Sequence, residues 1–109
     1  MPTWKTVQKI ARTLPETTEG PQYDKSSFRV GGKAFLIGGD DETFSIITDE
    51  REALLQSSPD VYESIPHHVG RNWVVVRLAH ISEAELREIM TDAWRIRAPK
   101  RLIKANPGV

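Results

Sequence analysis

The sequence predicts an α+β fold, a two-layer sandwich in which an antiparallel sheet carries its helices mainly on one face. Three observations lead to this prediction. Glycine pairs separate short apolar segments within residues 27–47. Amphipathic helical patterns lie near both ends of the chain. The usual strand–helix–strand alternation of a parallel sheet is missing from the pattern.

The first helix is predicted from about Thr3 to Leu14. Apolar residues recur there at three- and four-residue spacing and form one face: Trp4, Val7, Ile10, Ala11 and Leu14. Thr3 is a suitable N-cap, and Pro15 ends the helix because the residue before a proline avoids the α region. The next segment, residues 15–21, is predicted to be a loop.

The two glycine pairs predict a three-strand meander. Gly31 and Gly32 suit a two-residue hairpin turn, in which Val30 faces Lys33 and Phe28 faces Phe35. Strand alternation then separates a core face (Phe28, Val30, Phe35, Ile37) from an outer face (Arg29, Ala34, Leu36). A longer turn over residues 38–42 leads to a third strand at residues 43–48.

A short helix and a fourth strand follow. Asp49 and Glu52 have the spacing of a capping pair for a helix that continues to about Gln56. Residues 59–72 are predicted to be an irregular connection, and residues 73–78 a strand. On that strand one face is predicted to carry Val74, Val76 and Leu78, and the other Trp73, Val75 and Arg77.

The C-terminal part is predicted to be helical. Ser82 and Glu85 form a capping box for a helix from about Glu83 to Trp94. Pro99 interrupts the helical pattern, and one further helical turn is expected over residues 100–105. The 109 residues suit one domain, predicted over residues 3–105, with a frayed tail at residues 106–109.

Composition restricts the environment that we expect for the protein. Cysteine is absent, which excludes disulfides and thiolate metal sites and fits a reducing cytoplasm. The apolar runs are far shorter than the roughly 20 residues that a membrane-spanning helix needs. The N-terminal segment lacks the unbroken apolar centre of a signal peptide. We therefore expect a cytoplasmic protein without membrane contact.

The sequence contains no recognisable catalytic, metal-binding or cofactor-binding pattern, so we expect no enzyme and no cofactor. No serine lies in a Gly-x-Ser-x-Gly elbow, and the glycine pairs do not match Gly-x-Gly-x-x-Gly. The isolated polar residues are interpreted as ordinary loop or turn positions: Glu16, Glu19, Asp40, Asp41, Glu42, His67, His68 and His80. An enzyme or small-ligand binder that uses His67, His68 and Glu19 stays as an alternative.

Charge is distributed unevenly along a chain whose net charge is zero. Residues 94–109 carry five basic and no acidic side chains. Cations pair with phosphates, and an exposed tryptophan can stack on a base. The candidate nucleic-acid-binding residues are Arg29, Lys33, Trp73, Arg77, Arg95, Arg97, Lys100, Arg101 and Lys104. The alternative is a solvated tail, with Trp73 packed beneath the C-terminal segment and the arginines paired with local acids.

Four segments, in this order and spacing, resemble the MmcQ/YjbR family: TWKTVQKIARTLPETTEG, FRVGGKAFLI, NWVVVRL and AWRIRAPKRL. The resemblance covers roughly residues 3–104, and its most specific parts are residues 14–20, 30–35 and 94–100. It implies an α/β sandwich of the kind shared by the CyaY-like and secretion-chaperone-like folds. It also implies DNA binding in a double-wing mode, without a defined reaction. The matching positions here are the hairpin near Lys33 and the basic end from Arg95 to Lys104.

The expected function is therefore weak, salt-sensitive DNA binding by a non-enzymatic protein that is a monomer or weak dimer. The alternative is a protein-interaction or chaperone-like adaptor module with no nucleic-acid role. It would use an exposed apolar sheet face around Leu36 and Val75. The iron binding of frataxin-like proteins is not expected, because the first helix carries Lys5, Lys9 and Arg12 and no acid before Glu16.

Overall fold

A computed structural model describes residues 2–22, 25–38, 42–65 and 72–108. Within these residues the helices are α1 (Trp4–Thr13), α2 (Arg51–Ser57), α3 (Glu83–Arg97) and α4 (Lys100–Ala105). The strands are β1 (Thr18–Gln22), β2 (Lys25–Val30), β3 (Lys33–Gly38), β4 (Thr43–Ile47), β5 (Tyr62–Glu63) and β6 (Trp73–Arg77). A 3₁₀ turn at Leu78–His80 follows β6.

The strands form one antiparallel sheet in the order β1-β2-β3-β4-β6-β5, and the predicted two-layer α+β architecture is confirmed. Phe28, Leu36, Ile46 and Val74 are successive cross-strand partners, so their side chains share one face. Trp4 of α1 contacts Phe28 with ring centroids 5.9 Å apart, which identifies this face as the one that the helices cover. The helical side of the core consists mainly of Val7, Ile10, Leu86, Met90, Ala93 and Trp94.

The β2–β3 hairpin departs from the predicted register. Val30 pairs with Lys33 as predicted, but Phe28 pairs with Leu36 rather than Phe35. The register shifts between Phe28 and Arg29 and passes over Phe35, which is the signature of a β-bulge. The adjacent residues Phe35 and Leu36 are both buried, and Ile37 lies on the face opposite Phe28. The core position predicted for Phe35 is confirmed, but the predicted faces of Leu36 and Ile37 were wrong, because an inserted residue breaks the two-residue alternation.

Two strands occupy segments that were predicted to be irregular. β1 lies in the predicted loop at residues 15–21, and β5 lies in the predicted connection at residues 59–72. Both are edge strands, each with a single partner. An edge strand needs no alternating apolar pattern, and it tolerates Pro21, which cannot donate a ladder hydrogen bond. Propensity alone therefore gave no signal for either strand.

The helix boundaries follow local chemistry. Ser82 caps α3 as predicted, because its hydroxyl accepts the Glu85 N–H at 3.1 Å. Asp49 was predicted to cap α2, but this prediction was wrong. Glu50 is the N-cap, and its side chain makes no capping hydrogen bond. The Thr48 hydroxyl instead accepts the Glu50 N–H at 3.1 Å. α3 continues to Arg97, beyond the predicted end, and stops at Ala98 because Pro99 follows.

α1 and α3 run side by side in the same direction. Residues from the N-terminal ends of both helices line one surface cleft, among them Thr6 and Glu83. At the other ends, Trp94 of α3 is hydrogen-bonded to Pro15, which follows α1. The C-terminal ends of both helices therefore lie together. None of the described helices is long and apolar enough to cross a membrane.

Candidate nucleic-acid interface

Three segments that are distant in sequence meet at the C-terminal ends of α1 and α3. The Trp94 indole Nε1 donates to the Pro15 carbonyl oxygen at 3.0 Å. The Arg97 Nε donates to the Ala34 carbonyl oxygen at 3.2 Å. Segment 94–100 thus contacts both segment 14–20 and segment 30–35, and these three segments carry the family resemblance most specifically. These three segments form one structural junction, in which Trp94 is fully buried.

The glycine turn is part of this junction. Gly31 and Gly32 have φ angles of 62° and 78°, in the left-handed region that glycine adopts without a steric penalty. A Cβ atom on Gly31 would lie 3.0 Å from Cδ of Pro99, so the turn packs directly against the residue that precedes α4. Lys33 follows the turn, and Lys100 follows Pro99. The fold therefore brings the hairpin and the basic C-terminal segment, predicted separately, to one end of the molecule.

This packing predicts different costs for two neighbouring alanine substitutions. We expect Gly32→Ala to lower the free energy of unfolding by about 1 kcal/mol, the cost of a side chain in the left-handed region. Gly31→Ala should cost about 2 kcal/mol or more, because its methyl group would also press against Pro99. Urea denaturation of both variants measures the difference. Equal costs would contradict the contact between the turn and Pro99.

The cationic end is defined here as the surface that carries Lys33, Arg95, Arg97, Lys100, Arg101 and Lys104. Arg97 is held by the Ala34 carbonyl, and Arg101 is paired with Glu16 at 3.2 Å. The other four side chains belong to exposed residues, and no acidic side chain within the described ranges forms a salt bridge with them. Lys100 and Lys104 are four residues apart on α4 and therefore lie on the same side of that helix.

Arg29 borders the cationic end without being part of it. Its backbone pairs with Ala34, whose carbonyl accepts Arg97. The Arg29 guanidinium donates to the Ser27 hydroxyl at 3.3 Å and to the Pro21 carbonyl at 3.2 Å. These contacts hold the side chain across β2 and β1, so Arg29 can extend the cationic end only along the edge of the sheet.

Trp73 and Arg77 lie elsewhere. They are on β6, two strands away from β3, a separation of about 10 Å. The Arg77 guanidinium is occupied by Glu63 at 2.9 Å and by the Pro59 carbonyl at 3.0 Å. Trp73 is half-buried, and its carbonyl accepts a hydrogen bond from Arg51. The nine candidate residues therefore do not form one surface.

The apolar sheet face expected for an adaptor module is not exposed at the two residues predicted to carry it. Leu36 is fully buried beneath the helices, because the bulge turns it to the core face. Val75 lies on the opposite face, as predicted, but only 9% of it is exposed. This prediction about Leu36 and Val75 was wrong in both positions.

Glu16 is the functional candidate that sequence reasoning missed. Like Glu19, it was interpreted as an ordinary loop position, yet each of these carboxylates has its own partner. Glu16 accepts two bonds from Arg101, while Glu19 accepts one from Gln8 at 3.2 Å. Arg101 is 85 residues away in sequence from Glu16, so no local pattern could have revealed the pair.

The other polar positions considered as sites form no cluster in the part of the chain that the structure describes. His80 is exposed after β6, whereas Asp40, Asp41, His67 and His68 lie outside the described residues. Among the described residues, no group of three or more His, Cys, Asp and Glu side chains could hold a metal ion. A surface cleft of about 340 Å³ between α3 and the β4–α2 connection includes Arg95 in its lining, at the margin of the cationic end.

Tyr62, which lies far from the cationic end, has a raised pKa. Burial raises the pKa of its phenol well above the ordinary value, and its hydrogen bond to Glu85 raises it further. The hydroxyl donates to Glu85 Oε2 at 2.7 Å, which ties β5 to the first turn of α3. A phenol that stays protonated and donates to a carboxylate is a structural tie, and we assign it no part in binding.

Comparison with known proteins identifies the family and a structural relative. The chain is 33% identical to the uncharacterized protein Rv2570 of Mycobacterium tuberculosis, over 96% of this chain and 95% of the relative. It is 29% identical to the uncharacterized protein YbdF of Escherichia coli O157:H7, over 84% and 81% of the two chains. The crystal structure of Deinococcus radiodurans protein DR2400, a DUF419 domain, shares the fold with a TM-score of 0.80 at 21% identity, over 96% of this chain and 88% of that one. The YjbR family model matches residues 12–96, and the chain therefore belongs to the YjbR family.

Proposed function

We propose that the protein binds nucleic acid, DNA in the first place, through the cationic end. The observation that carries this proposal is the packing of Gly31 against Pro99, which joins the hairpin turn to the start of α4. It brings Lys33 of the hairpin and the lysines of α4, all exposed, to one end of the molecule. Exposed ammonium groups of this kind bind phosphate oxygens as point charges.

The chemistry of the cationic end favours contact with the nucleic-acid backbone over base reading. Phe35 and Trp94, the aromatic residues closest to it in sequence, are fully buried and cannot stack on bases. Lysine contacts to phosphate carry no direct sequence information. With few exposed cations at this end and a net charge of zero, binding should be weak and largely independent of sequence. A monomer or weak dimer suffices for such binding.

The proposal is one of binding alone, without catalysis, in the cytoplasm. The absence of cysteine supports the location. The adaptor alternative loses the exposed face around Leu36 and Val75 on which it was based. Light scattering and pull-down experiments that found a specific protein partner would support the adaptor alternative.

The proposal predicts a definite dependence of affinity on salt. Each phosphate neutralised on duplex DNA contributes about −0.9 to the slope of log K against log salt concentration. Four exposed cations, for which the described residues supply no salt-bridged acid, therefore predict a slope of about −3 to −4. Fluorescence titration of a labelled duplex at low and moderate salt measures it. Absence of salt-sensitive binding to duplex or single strands, at protein concentrations of tens of micromolar, would refute nucleic-acid binding.

A further inference from the structure

The Glu16 carboxylate occupies the position on Arg101 that a phosphate would take. Arg101 Nη1 donates to Glu16 Oε2 at 3.2 Å, and Nη2 donates to Oε1 at 3.4 Å. This two-pronged arrangement is the geometry in which a guanidinium binds either a carboxylate or a phosphate. Arg101 cannot offer the same two donors to both ligands at once.

The backbone presents this carboxylate from a fixed turn. Glu16 has φ of 51°, a left-handed conformation that is uncommon for residues other than glycine. The preceding carbonyl, that of Pro15, is held by the buried Trp94 indole at 3.0 Å. The turn is thus anchored to the core directly before Glu16. Such an anchor keeps the carboxylate close to α4, whereas a mobile loop would let it move away.

We infer that Glu16 is an internal competitor that lowers the affinity of the cationic end for phosphate. This inference rests on the proposed nucleic-acid binding and assigns a regulatory contact to the same site. The two side chains are 56% and 68% exposed, so phosphate has access to Arg101. An ion pair in water at this exposure is weak enough to exchange for another anion. Wild-type protein therefore binds through fewer cations than its sequence carries.

The test compares Glu16→Gln with wild type in titrations of a labelled duplex at low salt. We expect Glu16→Gln to bind about three- to tenfold more tightly and to steepen the salt slope by about 0.9, the contribution of one additional phosphate. Glu83→Gln is the matched control, because it changes net charge equally at the opposite end of α3. In a protein that already carries Arg101→Gln, adding Glu16→Gln should raise the affinity no more than adding Glu83→Gln does.

A second comparison keeps the inference testable if Glu16→Gln fails to fold. Arg101→Gln alone should weaken binding less than Lys100→Gln, because Arg101 is already occupied by Glu16. Equal losses would overturn the inference. The inference would also be overturned if Glu16→Gln raised the affinity no more than the Glu83→Gln control does. The same holds if the gain in affinity persisted in the Arg101→Gln background. Failure of every variant and of wild type to bind would instead refute the proposed function, and the competitor role with it.

Discussion

Replacing Trp94 by alanine is expected to lower the free energy of unfolding by about 3–5 kcal/mol, the usual cost of removing a buried tryptophan. Trp94 of α3 is fully buried, and its indole Nε1 donates to the Pro15 carbonyl at 3.0 Å. The substitution removes both the packing and the hydrogen bond that join α3 to the turn after α1. Urea denaturation followed by circular dichroism measures the change.

Two further variants separate the contributions at this position. Trp94→Phe keeps most of the apolar contact but leaves the Pro15 carbonyl without its donor, so it should cost about 1–3 kcal/mol. Trp73→Ala removes the same side chain from a half-buried position and should cost less than Trp94→Ala. If Trp94→Ala costs no more than Trp73→Ala, the junction does not depend on the buried indole.

Reversing three charges of the cationic end is expected to abolish most of the binding. In a variant with Lys33→Glu, Lys100→Glu and Lys104→Glu, affinity for duplex DNA should fall on the order of 100-fold. This corresponds to about 1 kcal/mol for each lysine. The salt slope should become shallower by about 3, since each lysine that contacts phosphate contributes close to one. All three residues are exposed, so the fold should be retained.

A control with the same change in net charge distinguishes a site from general attraction. Lys5→Glu, Lys9→Glu and Arg87→Glu alter exposed residues of α1 and α3 that are not part of the cationic end. This control should bind within a few-fold of wild type at about 0.1 M salt, where charges beyond about 10 Å are largely screened. An equal loss of affinity in both triple variants would mean that net charge governs binding and that no defined surface does.

Much of the framework could be predicted from sequence because its causes are local. The glycine pair required left-handed backbone, the apolar spacing defined α1 and α3, and Ser82 provided the cap that starts α3. The alternation of Val74 and Val76 against Trp73 and Val75 holds in β6 because that strand has no bulge. Each of these features depends on residues within a few positions of one another.

The errors have non-local causes. The bulge at Phe35 belongs to the pairing of β3 with β2, which no two-residue period encodes. The edge strands β1 and β5 pair with one neighbour each, and their own short sequences show no alternating apolar pattern.

The candidate site was predicted in part. Its cations were visible as a charge asymmetry, but their partners were not. Arg97 reaches Ala34 across 63 residues, and Arg101 reaches Glu16 across 85. The family resemblance marked the three segments that meet, while only the fold shows that they meet, and that Trp73 and Arg77 lie apart from them.

The central claim is that the hairpin turn and α4 form one phosphate-binding surface. The most direct measurement is a nuclear magnetic resonance titration that follows backbone amide shifts as a short DNA duplex is added at low salt. We expect the largest changes at residues 31–34 and 95–104, with little change around Glu63 and Arg77. Shifts centred on β5 and β6, or changes spread evenly over the molecule, would contradict the claim.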